Sequence, residues 1–424
     1  MQPSLLRSSA SYIVAAKRTP FGAFGGKLSA LTASQLGGHA SKAALAELPA
    51  GTRVDATIFG NVHASDNAAA YLARHVGHHA GLPVTVPALT VNRLCGSGFQ
   101  SIINAVHEIK AGDANVIVTG GTESMSQAPY TLSGVRFGGG KYGVDLKLVD
   151  SLAAALTDMV PTPTPMGITA ENLAVKYGIT REQCDAYALQ SQQRWQAANK
   201  AGAFADEISP VEVKVKRVSR GSALCGSYRP ASADRLAQAM ETFSVDEHPR
   251  GQTTAESLAK LPSVFKKEGT VTAGNASGIC DGAAANVVAS EAAVQEFGLK
   301  PLARIVSYGV TACEPSIMGI GPVEAIKLAL KRAGLQLSDI DGPIEVNEAF
   351  AAQFLAVQKE LGLPDEQTNQ FGGAIALGHP LGASGARIMA NLTHNVRRLN
   401  KRYALGAACI GGGQGIAIII EACA

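Results

Sequence analysis

Two cysteines, one histidine and one asparagine stand where a thiol could act as a nucleophile. Cys95 lies in Asn92-Arg-Leu-Cys-Gly-Ser-Gly, between a strand-like run and a stretch with helical apolar spacing. At a helix N-terminus the partial positive charge favours thiolate, and free backbone N–H groups can bind an oxyanion. The plainer role for such a cysteine is a small buried hydrophobe. His379 lies in Gly372-Gly-Ala-Ile-Ala-Leu-Gly-His-Pro-Leu-Gly-Ala-Ser-Gly, fixed by the following proline and open to close approach at the glycines. Cys409 ends an apolar run and precedes Gly411-Gly-Gly-Gln-Gly. Asn347, in Val346-Asn-Glu-Ala-Phe, directly follows a short strand-like run, where capping a helix is its simplest role. All four are expected at the C-terminal ends of strands, where open α/β sheets place their sites.

Rival motifs fit less well. Gly22–Leu28 resembles a phosphate loop, but Phe21 takes the first glycine position and Leu28 the required Ser/Thr. Gly96-Ser-Gly98 lacks the third glycine of a dinucleotide fingerprint, and Gly382-Ala-Ser384-Gly lacks nucleophile-elbow spacing. His75, His78 and His79 have no companion cysteine or carboxylate at zinc-site spacing, so no metal is expected.

These residues must be positioned by alternating strands and helices. Strands are predicted at Tyr12–Ala15, Ala56–Gly60, Ala88–Val91 and Asn115–Thr119, with helices at Leu31–Leu48 and Gly98–Lys110. The order recurs with strands at Ala303–Tyr308, Pro343–Val346, Gly373–Ala376 and Tyr403–Cys409, and helices at Val323–Ala333 and Gly385–Val396. This βαβ grammar predicts parallel strands. A glycine-rich turn opens a helix at Cys95-Gly-Ser-Gly and again at Gly382-Ala-Ser-Gly, so the chain reads as two similar α/β halves. Between them the composition changes. Pro161-Thr-Pro-Thr-Pro165 reads as a loop, Arg181–Ala201 as a polar helix and Lys214–Arg235 as a basic irregular stretch. We therefore expect an N-terminal half over 1–125 completed by about 268–296, an inserted lobe over 126–267, and a C-terminal half over 297–424.

Composition narrows the setting. The net charge of +3, from 37 basic and 34 acidic residues, predicts no nucleic-acid partner. Charged residues make up 17% of the 424, below the ~25% usual for globular chains, which points to surface buried between subunits. Seven cysteines without CxxC spacing suit free thiols in a reducing compartment. No apolar run is long enough to span a membrane. The first acidic residue is Glu47, and Arg7, Lys17, Arg18, Lys27 and Lys42 precede it. That start fits a mitochondrial targeting segment; a short ragged terminus before a strand, in a cytoplasmic protein, is the alternative.

The set Asn92-Arg-Leu-Cys-Gly-Ser-Gly, Asn347-Glu-Ala-Phe, Gly378-His-Pro-Leu-Gly and Cys409-Ile-Gly-Gly-Gly-Gln-Gly resembles the thiolase family. The likeness runs through Lys17-Arg-Thr-Pro-Phe-Gly, Gly120-Gly-Thr-Glu-Ser-Met-Ser and Gly274-Asn-Ala-Ser-Gly, over nearly the whole chain. Thr169-Ala-Glu-Asn-Leu-Ala and Pro315-Ser-Ile-Met-Gly-Ile-Gly-Pro make it most similar to the mitochondrial branch that cleaves 3-ketoacyl-CoA in fatty-acid β-oxidation.

The resemblance implies two duplicated βαβαβαββ halves in a layered α/β/α/β/α core. It implies a retro-Claisen cleavage with coenzyme A as co-substrate, no permanently bound cofactor, and a homotetramer in the mitochondrial matrix. Cys95 would be the nucleophile, His379 its base, and Cys409 the proton donor to the leaving enolate. His379 with a water held by Asn347 would serve one oxyanion, and the N–H groups of Cys95 and Gly411 the other. Ser277 would meet the pantetheine of CoA, and Arg250 with Ser257 its adenine end. Met166, Met318 and Phe350 would line the reacting centre. Lys214, Lys216, Arg217 and Arg220 are candidates for the 3′-phosphate of CoA, with a solvated loop as the alternative.

Pro165 before Met166 disfavours an enzyme dedicated to acetoacetyl-CoA, although condensation to acetoacetyl-CoA uses the same residues. Phe371 replaces the asparagine usual in the family before Gly372. A β-ketoacyl synthase shares the duplicated fold, but Cys409 before three glycines argues against it. A non-catalytic acyl-CoA binder would have lost Cys95, His379 or Cys409.

Overall fold

The computed structural model describes residues 10–216 and 238–423. Of the basic residues behind the expected targeting segment, Arg7 lies outside the described residues, whereas Lys17 and Arg18 lie on a strand, Ser11–Arg18, and Lys42 on a helix, Ala33–Leu45. Most of the later basic stretch, including Arg217 and Arg220, also lies outside them, and Lys214 lies on a strand, Val211–Lys216.

The N-terminal half supplies β1 (Ser11–Arg18), α1 (Ala33–Leu45), β2 (Ala56–Gly60), α2 (Leu72–His79), β3 (Ala88–Val91), α3 (Ser97–Ala111) and β4 (Val116–Ser124). Two further helices, α4 (Met166–Tyr177) and α5 (Arg181–Lys200), precede β5 (Cys280–Ser290). The C-terminal half adds β6 (Ala303–Ala312), α6 (Pro322–Ala333), β7 (Ile344–Val346), α7 (Ala351–Leu361), α8 (Ala374–Leu377), α9 (Leu381–Arg398), β8 (Tyr403–Ile410) and β9 (Gln414–Ala422).

The strands run in the order β7-β8-β9-β6-β1-β5-β4-β2-β3. The halves meet where Tyr12 and Ile13 of β1 pair with Arg304 and Ala303 of β6. The sheet is mixed, not parallel as expected. Parallel pairing is confined to β2 with β3 and β4, and β7 with β8; the other neighbours are antiparallel. The cause is local. β5 enters between β1 and β4 from a distant part of the chain. β9 returns directly from β8 through Gly411–Gly413, where Gly412 (φ +77°) and Gly413 (φ +78°) take the left-handed backbone of a tight turn. That last strand, with its run Ile416-Ala-Ile-Ile-Ile, goes beyond the predicted elements. Gly373–Ala376, predicted as a strand, instead opens α8, whose four residues are all buried. A short buried apolar run does not distinguish strand from helix by periodicity.

Alternation along the strands builds the layers. In β9, Ile416, Ile418 and Ile420 face α3 and α9, while Ala417 and Ile419 face the outer helices. The helices α3 and α9 are thus buried between the halves, with strands on both sides. The helices α1 and α2 cover the other face of the first half, and α4 to α7 that of the second. This is the five-layer α/β/α/β/α core.

The repeated glycine turns explain how α3 and α9 approach so closely. A Cβ on Gly98 would lie 2.4 Å from the Ala386 nitrogen, and one on Gly385 would lie 2.4 Å from the Phe99 nitrogen. Each helix start is pressed against the backbone of the other, so the two loops that precede them, carrying Cys95 and His379, converge.

Candidate active site

Cys95 sits on the turn between β3 and α3. Leu94 before it adopts φ +46°, uncommon for a branched side chain, and is held there by its neighbours. Its N–H donates to Asn92 Oδ1 at 2.9 Å, and its carbonyl accepts from the Ser97 N–H (2.9 Å) and hydroxyl (2.7 Å). Arg93 reaches from the same turn to Gln100 (2.8 Å) and to Gln414 of β9 (2.9 Å), tying the nucleophile turn to the second half.

His379 lies between α8 and α9 and is 5% exposed. Its N–H donates to the Gly278 carbonyl at 2.8 Å. The Ser384 hydroxyl donates to the Pro380 carbonyl (3.0 Å), so it accepts from Nδ1–H of His379 at 2.5 Å. The Nε2 lone pair then receives the Asn347 amide at 3.3 Å. Asn347 is placed by the end of β7, its N–H donating to the Ala407 carbonyl of β8 (2.9 Å), and its buried Oδ1 has no partner among the described residues.

Cys95, His379 and Gly411 line one cavity of 410 Å³. Met166, Ser277, Met318 and Phe350 line it too, as do Met125 and Phe265, which the sequence did not single out. Cys409 is wholly buried behind it, packed with Met318, Ala349, Met166 and Phe350. Arg250 and Ser257 are not brought to the cavity. Both are exposed, with the Arg250 N–H on Gln192 (2.8 Å) and the Ser257 hydroxyl on the Thr254 carbonyl (2.7 Å).

Burial sets the electrostatics. It pushes the Cys95 thiol up to about 11, although the backbone N–H groups of Gly411 and of Cys95 itself face the sulfur and pull it down. The expected thiolate at the helix start is therefore not the resting form, because desolvation outweighs the helix terminus. Burial, with a smaller push from Arg387, holds His379 down at about 3, so its ring is neutral. Cys409 is raised well above the ordinary thiol value, first by burial and then by the charge Cys95 would carry. The resting site is two thiols and a neutral imidazole, poised for proton transfer without a standing ion pair. Among the described residues, no group of three or more His, Cys, Asp or Glu side chains is placed to hold a metal ion.

Glu123 and Ser384 also bear on the site. Glu123 had its signal in Gly120-Gly-Thr-Glu-Ser-Met-Ser; Ser384, one turn into α9, entered the sequence reading within Gly382-Ala-Ser384-Gly, a glycine-rich turn without nucleophile-elbow spacing.

Residues 11–292 match the thiolase N-terminal domain and residues 299–422 the thiolase C-terminal domain. The chain belongs to the thiolase family, and it is an acyltransferase. It is 58% identical to the mitochondrial 3-ketoacyl-CoA thiolases of Homo sapiens and Mus musculus, over 97% of this chain and 98% of each relative. It is 47% identical to the beta-ketothiolase BktB of Cupriavidus necator, over 96% of this chain and 98% of that one. The crystal structure of human mitochondrial 3-ketoacyl-CoA thiolase superposes with a TM-score of 0.91 at 57% identity, covering 99% of this chain and all of that one. The same human enzyme in complex with CoA gives 0.90 at 56% identity, over 98% of both chains.

Proposed function

We propose that this chain is a 3-ketoacyl-CoA thiolase of fatty-acid β-oxidation, cleaving 3-ketoacyl-CoA with CoA to acetyl-CoA and a shortened acyl-CoA. The observation that carries this reading is 58% identity over nearly full length to enzymes of that name. In the first step, Nε2 of His379 takes the Cys95 proton as sulfur attacks the 3-keto carbon. The C2–C3 bond breaks, its electrons pass to the enolate of acetyl-CoA, and Cys409 protonates that carbon. In the second step, free CoA gives its thiol proton to Cys409 and attacks the acyl-enzyme. Cys95 leaves and recovers its proton from His379. A thiol nucleophile suits this exchange because the intermediate is itself a thioester, opened by another thiol at similar energy.

Each oxyanion has its own donors. The N–H groups of Cys95 and Gly411, which already face the sulfur, serve the oxygen on the acyl-enzyme. His379 and a water on Asn347 serve the thioester oxygen of the enolate. Ser277, lining the cavity, takes the pantetheine arm, and the exposed Arg250 and Ser257 take the adenine end outside it. Residues 1–125 with 268–296 and residues 297–424 carry the chemistry, and the lobe over 126–267 carries CoA contacts. We place the enzyme in the mitochondrial matrix, with support from relatives whose names say mitochondrial, and we take it to be a homotetramer. The condensing direction has less support, with 46% identity to the acetyl-CoA acetyltransferase of Chromobacterium violaceum.

The test is thiolysis of acetoacetyl-CoA and of a longer 3-ketoacyl-CoA, wild type beside Cys95→Ala. Loss of 3-ketoacyl-CoA absorbance on adding CoA, abolished in the variant, is the expected result. Folded, reduced wild type that is inactive on both substrates refutes the proposal.

A further inference from the structure

Glu123, at the end of β4, is wholly buried and belongs to no ion pair among the described residues. Burial raises its carboxyl to about 7, and the groups that favour its ionised form are N–H donors alone. One oxygen accepts from the Asn61 side chain (2.9 Å) and the His63 N–H (3.0 Å). The other accepts from the Val62 N–H (3.1 Å) and the Gly382 N–H (2.8 Å). Burying an unpaired carboxylate is costly, and a neutral side chain could fill the same space.

The donors belong to the two loops of the site. Gly382 lies in the first turn of α9, three residues after His379, and the same turn supplies the Ser384 hydroxyl that holds His379 Nδ1. The Asn61–His63 segment follows β2. The Val62 carbonyl accepts from the Asn92 amide at 3.3 Å, and Asn92 Oδ1 holds the N–H of Leu94, the left-handed residue before Cys95. One carboxylate thus bridges the chain carrying the base and the chain supporting the nucleophile. The titratable groups around it are His63 from the β2 loop, with Asp150 acting on His63, and Cys95 from the α3 turn.

We propose that Glu123 is a positioning residue for the reaction, holding the His379 loop and the Cys95 turn in register through one buried carboxylate. This rests on Cys95 and His379 being the reacting pair. Glu123 also opposes ionisation of Cys95, since like charge disfavours a second anion nearby. A charged residue that lowers nucleophile ionisation is tolerated because it keeps the base aligned.

Glu123→Gln separates the two effects. It keeps the size but presents an NH2 group to donors that need an acceptor. The expected result is a kcat lower by on the order of 100-fold, as for a misplacement near 1 Å, with KM for CoA little changed. At the same time, alkylation of Cys95 by iodoacetamide, mapped by peptide mass, becomes faster at pH 8, and its pH midpoint moves down. A purely structural role lowers both rates with the folded fraction and leaves the midpoint in place; that outcome, or unchanged kcat, overturns the proposal. If Glu123→Gln does not fold, Asn92→Ala, at an exposed position, cuts the same bridge between Val62 and Leu94. It must then lower kcat without changing KM for CoA, and unchanged kcat overturns the proposal. A Cys95→Ala control that retains turnover would instead refute the assignment of the nucleophile, independently of Glu123.

Discussion

His379 is held in one tautomer by the Ser384 hydroxyl, which is committed to the Pro380 carbonyl and so accepts from Nδ1–H. Ser384→Ala frees the ring, and losing a hydrogen bond worth about 1.4 kcal/mol slows turnover about tenfold. Steady-state kinetics with unchanged secondary structure checks this; a kcat within twofold of wild type contradicts it. The thiol gives a second prediction. With Cys95 at about 11, only the protonated form is populated at pH 7, and raising pH exposes thiolate. Iodoacetamide inactivation of the free enzyme should rise about tenfold per pH unit from pH 7 to 9. It should show no step near 6.5, because His379 is already neutral there. A plateau by pH 8 would mean the resting thiolate that the helix-terminus expectation favours. Cys95, His379 and Cys409 were legible because glycines lie close to them, and glycine marks where backbone must pass closely. Asn347 was legible from its place after a strand-like run. The protonation state was not legible, since it depends on how much water the folded cavity excludes.

At the scale of elements, the site depends on α3 and α9 touching at their first turns. Gly98→Ala places a Cβ 2.4 Å from the Ala386 nitrogen, where the neighbour is backbone and cannot swing away. Overpacking of this kind costs about 1–3 kcal/mol. The variant should unfold at a lower denaturant midpoint with an unchanged slope, and a wild-type midpoint contradicts the contact. Sequence periodicity found these helices and most strands, placing Ala56–Gly60 and Ala88–Val91 at their observed bounds. Gly373–Ala376 was misassigned and β9 missed for different reasons. The first is a short apolar run buried on all sides. The second follows a glycine turn that reads as an ending, when its positive φ values reverse the chain into another strand. Strand direction was also beyond reach, because β5 arrives from across the inserted lobe and nothing local fixes its partner.

Among the described residues of the whole molecule, the large sheet has an open edge at β3. β3 pairs with β2 on one side, and it is the last strand of the sheet. Its residues Ala88, Leu89 and Thr90 are exposed, with Leu89 44% accessible. Ala88–Val91 itself carries no charge or proline, the nearest proline being Pro87 at its start, although exposed edges are usually blunted in that way. A second copy related by a two-fold axis can lay its own β3 antiparallel against this edge, which makes the contact self-complementary. The low charged fraction of 17% fits a molecule with buried subunit contacts. The strand also leads directly into the Asn92–Cys95 turn, so the interface would brace the nucleophile. Wild type should sediment as a multiple of the 43.6 kDa subunit. Leu89→Lys, which puts a charge on the edge, should shift the distribution to smaller species and lower activity most at dilute enzyme, where dissociation is favoured. A wild-type mass of one subunit would refute the tetramer. An unchanged mass in the variant would move the interface away from β3.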